Sequence, residues 1–294
     1  MHGCLRFFFK IVPVVIMLIA LILAGLSQGG SRSKNVAFNS STYLFKIDLT
    51  RVNMDKVFEN DDRTIAELGF SQIYSFGLWG YCKGQTSSDT DTTISTEEEI
   101  KQWFSKQDYN VTYCSKPKSL FTIDIVDNLL NDIETSVSSS LSITLPPAVV
   151  KQKGAISACA HAAFILLLIG VAALGLSMLC SLLALLLPSL SGFALGFGLL
   201  AFVALIIGAA STLVTYTKVK NNFNNSYNTY GIMASLGDNK FYGMIWAAVV
   251  LTLIACIFNL IAVCLDRFVS KEPTRTEQVH DENPFMGYEE KQFQ

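Results

Sequence analysis

The chain has 294 residues, of which 51% are hydrophobic and only 16% charged, and its mean hydropathy is +0.39. Soluble domains carry about 25% charged residues, so much of this surface does not face water. A net charge of −2 gives no electrostatic footprint for nucleic acid, and the composition excludes both an intrinsically disordered chain and a water-soluble enzyme. The remaining class is a membrane protein.

A hydrocarbon core about 30 Å thick needs roughly 20 mostly apolar helical residues. In chain order, four stretches meet that requirement: 7–26, 157–187, 192–216 and 241–265. A cleaved leader is the alternative for the first, since Arg6 and Lys10 lead into an apolar run that ends in small residues. The second exceeds a perpendicular crossing, which predicts tilt or an extension beyond the bilayer. Only Leu187-Pro188-Ser189 separates the second from the third, so those helices form an antiparallel hairpin. The expected architecture is mainly α, a four-helix transmembrane bundle with both termini, 1–6 and 266–294, on one side. The large polar loop 27–153 and the shorter loop 217–240 share the other side.

Counting Lys and Arg does not orient the chain, because both sides carry them. Of the seven cysteines, only Cys82 and Cys114 fall in the large loop, and an isolated pair there reads as a disulfide in an oxidising compartment. Sequons at Asn39, Asn110 and Asn224 lie on the same side. Together these features place the loops outside the cell and the termini in the cytosol.

Within the large loop, Tyr43, Phe45, Ile47 and Leu49 recur on one face at the period of a half-buried strand, and a second, aromatic strand is expected across 71–81. Thr96 followed by Glu97, Glu98 and Glu99 has the form of a helix start. Ile125, Leu129, Leu130, Ile133 and Val137 recur at helical spacing, as in a helix packed on its own domain. Pro146-Pro147 breaks the chain before the second span. The expected outer unit is thus a small β-sheet with helix.

Gly77-Leu78-Trp79-Gly80-Tyr81-Cys82 is the most specific short motif. The pattern G-L-W-x-x-C in the first outer loop of a four-span protein resembles the claudin signature. That resemblance implies that Trp79 packs near the membrane face of a small sheet and that Cys82–Cys114 staples neighbouring strands. The cysteines stand farther apart here than in animal claudins, and a second loop tryptophan ahead of the motif is missing. The fuller pattern adds Y-L-F-K-I-D-L at 43–49, Y-C-S-K-P at 113–117, Leu236-Gly237, and Trp246 early in the fourth span. It is similar to the fungal Sur-seven/PalI family over nearly the whole chain up to Arg267. The resemblance implies a claudin-like plasma-membrane tetraspan that occupies eisosome-type patches and affects cell-wall assembly, endocytosis and stress tolerance. The PalI branch instead assists ambient-pH signalling, and related claudin-like proteins aid calcium influx. The short tail fits the patch-resident branch.

The residues offer no catalytic, cofactor or metal site. The spans lack a central Asp, Glu, Lys or Arg, His161 reads as a packed or interfacial histidine, and three histidines with no cysteine pair at ligand spacing argue against zinc. The loop carboxylates, Asp89 and Asp91 among them, read as a solvated face rather than a glycosidase pair. Instead the spans carry packing chemistry. Gly192 and Gly196 form G-x-x-x-G, continued by Ala204, Gly208 and Thr212; internal packing is expected, with a homo-oligomer face as the alternative. Asn259 is expected to hydrogen-bond a neighbouring helix, and aromatics such as Phe8 and Phe193 are candidates for contact with sterol-rich lipid.

On the cytosolic side, Cys4 and Cys264 are candidates for palmitoylation, with a plain thiol equally open. Asn283-Pro284-Phe285 matches the tripeptide turn bound by adaptor domains of endocytosis. The expected partners are the lipid bilayer, cortical eisosome or endocytic adaptor proteins and the cell wall.

Overall fold

The computed structural model describes residues 2–30, 42–52, 71–86, 109–118, 147–227, 231–237 and 239–269. Asn39, the expected helices around Glu97–Glu99 and over 125–137, and the tail with Asn283-Pro284-Phe285 lie outside the described residues, as does the side chain of Cys4.

Four long helices carry the chain: α1 (His2–Gln28), α2 (Pro147–Leu183), α3 (Ser191–Tyr227) and α4 (Asn239–Val269). Each contains a segment long and apolar enough to cross a membrane, namely Phe8–Gln28, Ser157–Leu183, Ser191–Asn225 and Lys240–Asp266. Proline sits at the first position of α2, where its missing N–H costs nothing and its fixed φ suits the helix. α2 ends at Leu183, and a short 3-10 turn, Pro188–Leu190, joins it to α3. The expected span to residue 187 therefore runs four residues past the end of the helix, three of them in a turn.

The hairpin of α2 and α3 closes by exchange of knobs and notches. Leu205 packs on Gly170, where an added Cβ would stand 2.7 Å from Leu205 Cγ, and Leu167 packs reciprocally on Gly208. Small residues allow this approach in lipid, where no hydrophobic drive pulls helices together. Ala204 and Thr212 are buried on the same stripe. Gly192 and Gly196 behave differently: a Cβ on either would meet nothing within 4 Å. The G-x-x-x-G pair is therefore not part of internal packing. The glycine on which all four helices converge is Gly198, whose Cβ position lies 3.0 Å from Cys256 Sγ of α4, 3.1 Å from Ser177 Oγ of α2 and 3.6 Å from Met17 Cε of α1.

A five-stranded antiparallel sheet stands at the end of the bundle away from His2 and Val269, in the order β4-β3-β2-β1-β5. Its strands are β1 (Phe45–Asp48), β2 (Ile73–Phe76), β3 (Tyr81–Thr86), β4 (Tyr109–Cys114) and β5 (Met233–Leu236). The single strand expected over 71–81 is two. Gly77 N–H donates to Gly80 O across 2.8 Å and reverses the chain, so that Phe76 pairs with Tyr81. The expected loop 217–240 is also more ordered than foreseen, since α3 continues to Tyr227 and β5 joins the sheet beside β1.

Candidate functional site: the sheet seated on the bundle

The alternation in β1 puts Phe45 and Ile47 on one face of the sheet and Lys46 and Asp48 on the other. The Phe45 face meets the helices. An aromatic series runs along it from Tyr216 of α3 to Phe45 (6.4 Å between centroids), Phe76 (6.2 Å), Tyr81 (6.0 Å) and Tyr113 (6.3 Å). It starts in the buried core and ends half-exposed, with Tyr113 at 47%. Lys46 and Asp48 on the opposite face are buried as well, a departure from the half-buried strand that alternation predicts. Asp48 Oδ1 accepts from Thr50 N–H (2.9 Å) and Thr50 Oγ1 (2.6 Å). Its Oδ2 is buried without a hydrogen-bond partner among the described residues, and burial raises the carboxyl above the usual range against the opposing pull of Thr50, Lys46 and Arg51.

The G-L-W-G-Y-C motif makes the lower contact. Leu78 is buried in the turn after Gly77, and Trp79 lies edge-on against Phe164 of α2 with ring centroids 5.0 Å apart. Cys82 and Cys114 stand directly opposite each other on β3 and β4 and are joined as a disulfide. Gly80 is required by close approach, since a Cβ there would run into Ser115 Oγ, which itself accepts from Tyr81 N–H at 3.0 Å.

At the other end of the sheet, Asn224 serves as a clamp. Its Oδ1 accepts from Ala234 N–H (2.7 Å) and its Nδ2 donates to Ala234 O (3.0 Å). The amide thus takes the place of a further strand at the outer edge of β5 and holds that edge to α3. The sequon residue Asn224 is thus engaged on a helix in the folded structure. Asn110 is exposed on β4, as an acceptor requires.

Polar contacts lie at the two ends of the apolar segment of α1. At the sheet side α1 ends at Gln28, whose Nε2 donates to Leu167 O at 3.3 Å. At the terminal side Lys10 pairs with Asp266 of α4 (3.1 Å) and donates to Ala184 O just past the end of α2 (3.3 Å). From Lys10 to Gln28 the helix rises about 27 Å, and from Leu167 to Ala184 about 26 Å, at 1.5 Å per residue; both match a hydrocarbon core. Between these levels the polar groups are neutral and paired: Ser177 Oγ donates to Ala194 O (2.6 Å), and Asn259 Nδ2 donates to Ser181 Oγ (3.4 Å), the interhelical bond expected of Asn259. Cys264 is exposed on α4 near the terminal-side boundary. No group of three or more His, Cys, Asp or Glu stands together to hold a metal among the described residues.

Sequence reasoning missed Asn224, Gly80 and the Lys10–Asp266 pair. Gly80 was visible as part of the motif and Asn224 as a sequon; the bonds of Asn224 to Ala234 and of Lys10 to Asp266 are set by tertiary packing and left no local signal.

These features define a four-span membrane protein with a disulfide-stapled sheet packed on one end of its helices. The SUR7/PalI family profile matches residues 7–258, and the chain belongs to that family. It is 26% identical to Protein PUN1 of Saccharomyces cerevisiae over 267 residues, covering 88% of this chain and 91% of that protein. It is 28% identical to the SUR7 family protein pun1 of Schizosaccharomyces pombe over 103 residues, 35% of this chain and 28% of that protein.

Proposed function

We propose that this chain is a non-enzymatic organiser of eisosome-type plasma-membrane patches, with both termini in the cytosol and the sheet facing the cell wall. The observation that carries the reading is the seat of the sheet on the bundle. Trp79 on Phe164, Phe45 on Tyr216 and Asn224 on β5 couple the outer domain to the spans as one body. A contact made outside is thereby imposed on the position of the helices in the bilayer. The tail would engage cortical or endocytic adaptor proteins through Asn283-Pro284-Phe285, and lipidation of Cys4 and Cys264 would favour ordered lipid. Membership of the SUR7/PalI family supports the reading.

A fluorescent protein fused to the C-terminus tests it in living fungal cells. Stable, immobile cortical patches are expected. A diffuse rim that responds to external pH would favour an auxiliary of ambient-pH signalling, and confinement to internal membranes would overturn both readings. Calcium uptake that fails without the chain while patches remain intact would favour the accessory of ion influx.

A further inference from the structure

The end of the sheet nearest the bilayer carries cations at a defined depth. Gln28, the polar residue that ends the apolar segment of α1, donates to Leu167 O and lies about 27 Å along the helix from Lys10, one hydrocarbon thickness away. Phe164 lies three residues farther out on α2, about 4.5 Å at 1.5 Å per residue, so the Trp79 ring against it sits at headgroup level, where tryptophan is favoured. The backbone that follows β4 is tied to this depth. Ser115 N–H donates to Tyr81 O and Lys118 N–H donates to Trp79 O, each at 2.8 Å. Lys116, Pro117 and Lys118 are all exposed.

The charge of this rim has one sign. Among the described residues 71–86 and 109–118 there are three lysines, Lys83, Lys116 and Lys118, and no Asp or Glu. Lys83 Nζ lies over the Tyr113 ring, 5.4 Å from its centroid, on the face that meets the helices. That face ends, past the bundle, in the half-exposed Tyr113. Apolar-bodied aromatics beside exposed ammonium groups, level with the lipid phosphates and continuous with the lipid-facing spans, match a phospholipid headgroup layer.

We propose that residues 115–118, with Trp79 and Tyr113, form a rim that docks on phospholipid headgroups, Lys116 and Lys118 binding the phosphates. Gly80 makes the rim possible, because only glycine lets Ser115 close over the turn. The rim fixes the depth and tilt of the sheet relative to the lipid that surrounds the bundle. The inference rests on the helices crossing a bilayer and not on patch residence, so a failure of the patch reading leaves it standing.

The test uses the full chain reconstituted in vesicles of phosphatidylcholine with phosphatidylserine, with a photo-reactive benzoylphenylalanine at position 117. Illumination is expected to yield a phospholipid adduct. With K116Q/K118Q the yield should fall by about fivefold or more, from the contribution of basic groups near an anionic surface, while the Cys82–Cys114 disulfide remains closed in a thiol-labelling assay. A probe that captures no lipid would overturn the proposal, as would a yield that is indifferent to the two lysines in a chain whose disulfide is intact.

Discussion

Lys10 and Asp266 lie 256 positions apart in the numbering and meet at 3.1 Å, joining the first and last helices of the bundle. Both side chains are largely shielded, at 15% and 10% exposure. Lys10 also donates to Ala184 O, a carbonyl at the end of α2 that no longer has an intrahelical donor. The favourable placement of a cation at a helix C-terminus adds to the ion pair. One side chain therefore pins three helices at the terminal-side boundary.

Removing either partner leaves a shielded charge alone, so Lys10→Met and Asp266→Asn should each destabilise the bundle by roughly 2–4 kcal/mol, toward the lower part of the range for buried pairs. The double variant should lose less than the sum of the two. Thermal unfolding of detergent-solubilised protein, analysed as a double-mutant cycle, measures the coupling. Additive losses would mean that the two groups do not act as a pair.

The Asn224 clamp gives a prediction that separates structure from glycosylation. Asn224→Ala removes two hydrogen bonds at the edge of β5 and should cost about 1–3 kcal/mol. Ser226→Ala destroys the same sequon but leaves the amide in place, and it should fold and migrate like the parent chain. If Ser226→Ala lowered the apparent mass by one glycan, Asn224 would be an acceptor and the clamp would not be formed in the cell.

What was legible in the sequence follows from the length scale of each signal. The spans are local and repeat over many residues, so their existence and the hairpin turn at Pro188 were readable. The disulfide was readable because Cys82 and Cys114 stand alone in a polar loop. The fifth strand was not, because Met-Ala-Ser-Leu at 233–236 has no alternation and is held by tertiary partners, Ile47 of β1 on one side and Asn224 on the other. The G-x-x-x-G motif misled for a related reason. Spacing puts Gly192 and Gly196 on one helix face but does not say what that face meets, and the close approach is made by Gly208 and Gly198 instead.

The staple and the tryptophan support the same seat by different means. Cys82→Ser and Cys114→Ser should destabilise the sheet domain by about 2–4 kcal/mol, through a less constrained unfolded state, and retain the protein in the secretory pathway. Trp79 is only partly buried, so Trp79→Ala should cost about 2 kcal/mol, below the 3–5 kcal/mol of a fully enclosed ring. Limited proteolysis of the sheet domain would rank the three variants. Surface delivery of both cysteine variants at parental levels would count against a structural role for the disulfide.

Asp48 makes the stability of the sheet depend on pH. Burial raises its folded-state pKa above the unfolded value, 3.8. The folded protein therefore holds the proton more tightly than the unfolded chain, and folding is favoured as pH falls through the folded pKa toward the unfolded one. Above the folded pKa the cost of the buried charge is fully present. Oδ1 already satisfies both Thr50 donors, so the proton belongs on Oδ2, the oxygen without a hydrogen-bond partner among the described residues. Asp48→Asn keeps an acceptor toward Thr50 and replaces the buried anion with a neutral amide. The parent domain should melt at a higher temperature near pH 4, just above the unfolded value, than at pH 7, and the D48N variant should show a smaller difference between the two. Melting curves at both values, followed by accessibility of the disulfide to reductant, provide the check. An equal pH response in both chains would assign the effect to other groups.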